Sequence, residues 1–181
     1  MLFGRHIRLT PEEFGKDYKS KMPNGQLPVL EVDGKLLPES MAIFRYLGRK
    51  FGLAGKDEWE EAQIDALCDS YLDFMQEKPA FRLVATLGEA EKEALMKEKF
   101  VPATEKYFPI YKKYLAEAAN GFFFKCGPTW FDFYLAEMHD SFNNYIPDFY
   151  QNHPEFKAHS EKVHSLQQLQ NYLKTRPETK H

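Results

Sequence analysis

The sequence predicts a small α/β domain followed by a larger all-α domain. The last strand patterns belong to a hairpin at residues 29–37, and no convincing strand pattern follows Trp59. Apolar side chains then recur at helical spacing, at Ile64, Leu67, Tyr71 and Met75. We therefore expect a first domain over residues 1–54 and an all-helical second domain over residues 57–181.

The composition restricts the class of protein. The chain has 181 residues, 43% of them hydrophobic, and a net charge of -3. This balance gives no electrostatic reason to expect nucleic acid or a membrane surface as a partner, and no run approaches the ~18 apolar residues of a membrane-spanning helix. Cys68 and Cys126 form no CxxC motif, so we expect free thiols in a reducing cytoplasm.

The first elements of the α/β domain are predicted from local signals. The segment RHIRL, residues 5–9, is a candidate strand. Thr10 then stands as a helix N-cap, with Pro11 at the first helical position and Glu13 at the third. Residues 22–27 are expected to form a loop.

The hairpin is predicted from its turn. Two short apolar runs, Val29–Val32 and Lys35–Leu37, flank Asp33-Gly34, and this dipeptide favours a type I′ turn. Ser40 is then expected to cap a helix that ends at Gly52. The apolar face of that helix is predicted to carry Ile43, Tyr46, Leu47 and Phe51.

The second domain divides at prolines and glycines. A second helical stretch covers Glu89–Ala118, and Pro102 and Pro109 are expected to kink or divide it. The segment NGFFFKCGP breaks the pattern, after which Thr129 and Asp132 form a T-x-x-D capping pair at the start of a central helix. Residues 154–174 are predicted to be helical with an interruption.

Leu27-Pro28 is the first candidate binding feature. Proline cannot donate to a strand ladder, and it pushes the preceding residue towards an extended conformation. With a cis Leu27–Pro28 bond, which we predict, the backbone of Leu27 faces outward and can pair with an extended peptide. The alternative is an ordinary proline at the edge of a sheet.

Ser40 is the second candidate, and it lies one hairpin away. Its hydroxyl can cap the helix and do nothing else. The start of a helix also offers free N–H groups to an anion. Together with Leu27-Pro28, it predicts a surface for a short peptide with a carboxylate.

Three aspartates at four-residue spacing share one face of the next helix: Asp65, Asp69 and Asp73. Like charges at this spacing repel weakly. The face is either simply solvated or an electronegative strip that meets a cation or amine. His159 and His164 are five residues apart, which does not favour a metal site, and the sequence has no GxGxxG, P-loop or HExxH motif.

Taken together, these segments resemble the glutathione transferases, and within them the sigma class in the form common in nematodes. The resemblance rests on QLPVL at 26–30, the Asp33-Gly34 turn, ESMAI at 39–43 and TWFDFY at 129–134. It implies a partial thioredoxin-like N-terminal domain, an all-helical C-terminal domain, a homodimer, and glutathione as substrate with no metal. The implied activity joins the glutathione thiolate to small hydrophobic electrophiles, in detoxification.

The resemblance also implies roles for single residues. The family's cis-proline corresponds to Pro28, and the backbone of Leu27 would pair with the cysteinyl unit of glutathione. Ser40 and Glu39 would hold the γ-glutamyl carboxylate. Glutamine is usual at position 39, so Glu39 either repels this carboxylate or attracts the ligand's amine.

The remaining implied contacts lie on other elements. Gln26 and Lys19 match positions that reach the glycyl end, and Phe14 stands where tryptophan is common. Asp73 matches a carboxylate that crosses the dimer interface to the γ-glutamyl amine. By position, the electrophile pocket would contain Met75, Ala80 and Phe81.

The start of the chain departs from the family. Similar proteins begin with a strand and a helix that supply a catalytic tyrosine, whose hydroxyl lowers the pKa of the glutathione thiol. Here the first tyrosine is Tyr18, which does not match that position, so no catalytic residue is identified. The expectation is that the first strand and helix are lacking, either by truncation or by loss of the activator. The alternatives are a non-catalytic glutathione-binding or crystallin-like structural protein, or a glutathione-dependent prostaglandin isomerase.

Overall fold

The computed structural model describes residues 6–79 and 86–177. The chain divides into two compact units, Met1–Lys50 and Phe51–His181. The first unit combines short helical segments with a two-stranded sheet, and the described part of the second is helical. The predicted order, α/β followed by all-α, is confirmed. The domain limits predicted from the sequence stay a prediction.

The first helical segment begins as its capping signal predicts. Helix α1, Pro11–Glu13, is preceded by Thr10, whose hydroxyl accepts from the Glu13 N–H at 3.2 Å. The Glu13 carboxylate accepts in return from the Thr10 N–H at 2.7 Å, which completes a capping box. The segment continues as a π-helical turn, Phe14–Tyr18, and a 3₁₀ turn, Lys19–Lys21.

The strand predicted at residues 5–9 is wrong in its described part. Residues 6–10 have no regular structure, and the sheet of the described chain contains two strands only, β1 and β2. A β-strand requires a neighbouring backbone that completes its hydrogen bonds. A suitable pattern of side chains cannot supply that neighbour.

The hairpin has the predicted strands and turn. Strand β1, Val29–Val32, pairs antiparallel with β2, Lys35–Pro38, and Val29 lies opposite Pro38. Both turn residues have positive φ, 51° at Asp33 and 75° at Gly34. This combination defines a type I′ turn, whose twist matches that of the two strands.

Helix α2, Ser40–Lys50, comes directly after the hairpin. The helix thus ends two residues before Gly52, which has a φ of 69°. On the predicted apolar face, Ile43 and Leu47 are half-buried, whereas Tyr46 and Phe51 are exposed.

The second unit contains seven described α-helices, labelled α3 to α9. They are α3 Glu58–Glu77, α4 Glu89–Leu95, α5 Val101–Ala118, α6 Trp130–Tyr145, α7 Phe149–Asn152, α8 Pro154–His164 and α9 Gln170–Thr175. A π-helical turn, Met96–Phe100, joins α4 to α5, and a 3₁₀ turn, Gln167–Leu169, precedes α9. The predicted break after Ala118 and the predicted interruption near the C-terminus are confirmed.

The long helical stretch divides at a different place from the one predicted. The division is the π-helical turn Met96–Phe100, which lies upstream of both prolines. Pro102 occupies the first turn of α5, where a missing N–H costs little, and Pro109 lies inside the helix. Pro109 therefore does not divide α5, and a kink at either proline stays a prediction.

Aromatic rings form the core of the second unit. Phe108 packs against Phe74 with ring centroids 5.2 Å apart, and against Phe156 at 4.9 Å. These rings come from α5, α3 and α8, so the contacts join three helices. Each such pair contributes about 0.5–1.5 kcal/mol beyond the burial of its area.

The side chain of Asp132 is fully buried, and its carboxylate accepts several hydrogen bonds. One carboxylate oxygen accepts from the N–H and the hydroxyl of Thr129, both at 2.7 Å. The other accepts from the Phe123 N–H at 2.9 Å and lies 3.1 Å from Nε2 of His159. The carboxylate therefore holds the start of α6, the preceding loop and helix α8 together.

His139, in α6, is buried among aromatic rings. Its ring stacks on Phe156 with centroids 4.3 Å apart. Neither ring nitrogen has a hydrogen-bond partner within the described residues. Burial lowers the pKa of His139 well below its ordinary value of 6.5, and the nearby His159 and His153 lower it further.

Replacing Asp132 by alanine should be far more costly than removing an ordinary cap. Asp132→Ala leaves two buried backbone N–H groups and His159 without their acceptor, so we expect a loss of about 3–5 kcal/mol in the free energy of unfolding. Asp57 caps α3 with a single bond to the Glu60 N–H at 2.8 Å. Asp57→Ala should cost about 1 kcal/mol in the same urea titrations. Equal losses in the two variants would contradict the role given to Asp132.

The buried histidine predicts a sensitivity to acid. A lowered folded-state pKa means that the stability contributed by neutral His139 is present above pH 6.5 and is lost as the pH falls below it. His139→Leu should therefore remove up to about 2 kcal/mol of the decline in unfolding free energy between pH 6.5 and 5.

His164 supplies the matched control with the opposite sign. Its pKa is raised by the carboxylates of Glu137 and Asp140, each 3.6 Å from a ring nitrogen. Its contribution is present below pH 6.5 and lost as the pH rises, so His164→Leu should make the decline towards acid steeper. Denaturant titrations at several pH values measure both variants, and parallel pH profiles for the two would contradict this assignment.

Candidate functional site

The hairpin and the helix after it form a small cleft in the first unit. It is lined by Asn24, Gln26, Leu27, Pro28, Pro38, Glu39 and Ser40, and its volume is about 30 Å³. A single water needs about 10–15 Å³, so the cleft accommodates one small polar group and not a whole peptide. Any peptide bound here must place one group in the cleft and lie across the surface outside it.

The cleft brings together five residues that the sequence predicts for one site. Gln26, Leu27 and Pro28 come from the start of the hairpin, whereas Glu39 and Ser40 lie just after its end. The predicted cis Leu27–Pro28 peptide bond is confirmed. Leu27 is 48% exposed.

Glu39 connects the sheet to the helix with a left-handed backbone. Its φ is 74°, a conformation that costs a residue other than glycine about 1–3 kcal/mol. The Glu39 carbonyl accepts the first helical bond, from the Ile43 N–H at 2.9 Å. A strained backbone at the lip of a cleft is typical of functional sites.

The predicted cap of this helix is wrong by one residue. Ser40 is the first residue of α2, and the residue whose carbonyl begins the helix is Glu39. The prediction placed the cap one residue too late because serine is a preferred cap residue and glutamate is not. Ser40 therefore lies in the first turn of α2, where it is one of the residues that line the cleft.

Asn24 is a residue of the cleft that the sequence does not single out. Its side-chain amide donates to Oε1 of Glu39 at 2.8 Å. The sequence pattern assigns Asn24 and Gly25 only to a loop, although Asn-Gly is a strong turn signal. Gly25 has a φ of 60°, which turns the chain back and places Asn24 beside a residue fifteen positions further along.

Phe14 and Lys19 do not line the cleft. Phe14 opens the π-helical turn of the first segment, and Lys19 opens the 3₁₀ turn after it. The stem of Lys19 lies beside Gly25, about 3.8 Å from where a Cβ there would stand. Lys19 is therefore close to the loop that carries Asn24.

The other predicted site residues lie in the second unit or outside the described residues. Asp73 and Met75 are on α3, where Asp73 is exposed and Met75 half-buried. Ala80 and Phe81 lie outside the described residues. Tyr18, the first tyrosine, is half-buried and has Lys21 Nζ 5.5 Å from its ring centroid.

Two further classes of site are not found in residues 6–79 and 86–177. These residues contain no group of three or more histidine, cysteine, aspartate or glutamate side chains that could hold a metal ion. None of their helices is both long and apolar enough to cross a membrane.

Comparison with known proteins gives the same family for both units. Residues 5–49 match the glutathione S-transferase N-terminal domain, and residues 76–176 match the glutathione S-transferase C-terminal domain. Glutathione S-transferase 1 of Ascaris suum is 43% identical over 162 residues, which cover 89% of this chain and 79% of that protein.

Solved structures agree with the sequence matches. A Nu-class glutathione transferase from Haemonchus contortus is 46% identical, with a TM-score of 0.84, and the match covers 97% of this chain and 85% of that one. A glutathione transferase from the hookworm Necator americanus, described as monomeric, is 45% identical, with a TM-score of 0.86 and coverage of 97% and 86%.

Proposed function

Because the chain belongs to the glutathione S-transferase family, we propose that the cleft beside its hairpin binds glutathione. The first unit is the thioredoxin-like N-terminal domain of that family, and the second is its all-helical C-terminal domain. The chain is a transferase that joins the glutathione sulfur to electrophiles. The residues that hold the peptide are proposed below, group by group.

One observation carries the proposal. The cleft joins Leu27 and Pro28 to Glu39 and Ser40, and it has room for a single polar group such as a carboxylate. The hydroxyl of Ser40 can donate to an anion, and the N-terminal end of α2 presents the positive end of the helix dipole to it. The γ-glutamyl carboxylate of glutathione would occupy the cleft, and the cysteinyl backbone would pair with Leu27.

In this proposal, Glu39 binds the ammonium group of the γ-glutamyl unit. Its Oε1 accepts from Asn24, which fixes the side chain at the lip of the cleft. A carboxylate here disfavours an anion and attracts an ammonium group. The ligand's amine, bonded to Glu39, would then lie next to the ligand's carboxylate, bonded to Ser40.

The remaining contacts are proposed from the family pattern. Gln26 lines the cleft and Lys19 lies beside Gly25, and we propose that both contact the glycyl end. Phe14 is proposed to contribute an apolar surface. In the second unit, Met75, Ala80 and Phe81 are proposed to contact the electrophile.

The subunit arrangement and the class are separate proposals. We propose a homodimer in which Asp73 of one subunit meets the γ-glutamyl amine bound to the other. The Necator americanus relative is described as monomeric, so the oligomeric state of this chain has to be measured.

The similarity to a Nu-class enzyme favours grouping the chain with the nematode enzymes, and its sigma-class assignment stays a prediction. A detoxifying role in the cytoplasm is proposed on the same basis.

The role of Glu39 can be tested by removing its charge alone. Glu39→Gln keeps an oxygen that accepts from Asn24, so the geometry is preserved. A charge-assisted hydrogen bond contributes about 1.5–3 kcal/mol, and we expect glutathione to bind roughly ten- to a hundredfold more weakly. Calorimetric titration measures this, with Glu31→Gln, an exposed glutamate of β1, as the control that should bind like the parent.

Tighter binding by Glu39→Gln would show that the residue faces the ligand's carboxylate instead. Equal affinities for Glu39→Gln, Glu31→Gln and the parent would remove Glu39 from the site altogether.

The role of Asp73 can be tested against its neighbour on the same helix face. Asp73→Asn should weaken glutathione binding by roughly tenfold or more, because the ammonium loses a charged acceptor. Asp65→Asn should change the affinity little. The contact crosses between subunits, so the loss should be present at protein concentrations where sedimentation shows a dimer and absent where it shows a monomer. If the two variants bind alike at all concentrations, Asp73 belongs to a solvated face and not to the site.

A further inference from the structure

The helical unit contains a cavity whose described lining includes none of the described residues proposed to contact glutathione or the electrophile. Its volume is about 440 Å³, within the range of about 300–1,000 Å³ typical of small-molecule pockets. Its described lining comes from residues 89–104 and 145–153. None of Met75, Asp73 or the hairpin residues is part of that lining.

The walls of the cavity are mainly apolar. The apolar side chains are Met96, Phe100, Val101, Ile146, Pro147 and Phe149. Phe100 and Phe149 also belong to the buried aromatic core, and Val101 is 44% exposed. The cavity is therefore anchored at one side in the core and open to solvent at the other.

Irregular backbone shapes the lining on both sides. Met96–Phe100 is a π-helical turn, a form that is rare and often found at functional sites. Asp148, between the lining residues Pro147 and Phe149, has a left-handed φ of 59°. Two uncommon backbone conformations therefore lie beside one cavity.

The polar groups of the lining determine what it can hold. Glu89, Lys92 and Glu93 stand on α4, so the charged side chains carry no excess of positive charge to bind an anion. His153 lines the cavity with a half-buried imidazole ring. Burial, and then the charge of Lys112, lowers the pKa of His153, so its ring is neutral at pH 7.

We propose that this cavity binds a neutral, largely apolar small molecule that carries a hydroxyl group. Its apolar body lies against Met96, Phe100 and Ile146, and its hydroxyl bonds to the imidazole of His153. The site is distinct from the one proposed for glutathione, and binding requires neither glutathione nor transfer activity. A failure of the proposed function therefore leaves this inference intact, and the reverse also holds.

The test uses 1-pyrenemethanol, a neutral fluorescent alcohol, in the absence of glutathione. We expect saturable binding to the full chain, and weaker binding of pyrene-1-carboxylate, which is anionic at pH 7. Val101→Trp places an indole at the mouth of the cavity and should weaken binding of the alcohol at least about tenfold. Ile110→Trp is the matched control, because Ile110 is similarly exposed, at 39%, on the same helix and outside the lining.

Two further measurements complete the test. His153→Phe should abolish the preference for the alcohol over unsubstituted pyrene. In the unmodified protein, the methyl resonance of Met96 should shift on titration, and that of Met41 in the other unit should not, so the result does not depend on any variant folding. Tighter binding of the carboxylate, equal effects of the two tryptophan substitutions, or an unshifted Met96 signal would each overturn the proposal.

Discussion

The junction at Glu39 is the constraint on which the candidate site depends. Strand β2 ends at Pro38 and helix α2 begins at Ser40, so one residue must redirect the chain from extended to helical backbone. The left-handed φ of 74° at Glu39 makes this turn. As a result the first turn of α2 lies beside Leu27 and Pro28, and the bond from Asn24 to Glu39 holds the loop against it. A longer connection would leave the two halves of the cleft free to move apart.

In the helical unit, a carboxylate also holds separate segments of the chain together, but it is buried. There the carboxylate of Asp132 gathers donors from Thr129, Phe123 and His159. Both Glu39 and Asp132 bring separate segments together at the start of a helix through a carboxylate side chain. They differ in exposure, and this difference separates their roles. Asp132 is inaccessible and stabilises the unit, whereas Glu39 is accessible and can meet a ligand.

Much of this structure could be predicted from the sequence because it is local. The Asp33-Gly34 turn, the Thr10 and Thr129 capping boxes and the apolar stripe of α3 each depend on residues within about one or two helical turns. Hydrogen bonds between residues that are far apart in the sequence could not be predicted from such local patterns. The bond between Asn24 and Glu39 spans 15 residues and that between Asp132 and His159 spans 27. The strand expected at residues 5–9 failed for the same reason, since its ladder depends on a partner and not on its own pattern. The left-handed conformation of Glu39 was equally hidden, because glutamate is not a residue associated with it.

The central claim is that the cleft beside the hairpin is where glutathione binds. The most direct measurement is a titration of the ¹⁵N-labelled chain with glutathione, monitored through the amide resonances. The account predicts the largest shifts at the amides of Leu27, Ser40 and Met41, with small shifts at Tyr172, an exposed residue of α9 in the helical unit. Saturable shifts confined to the helical unit, with the hairpin amides unchanged, would contradict it.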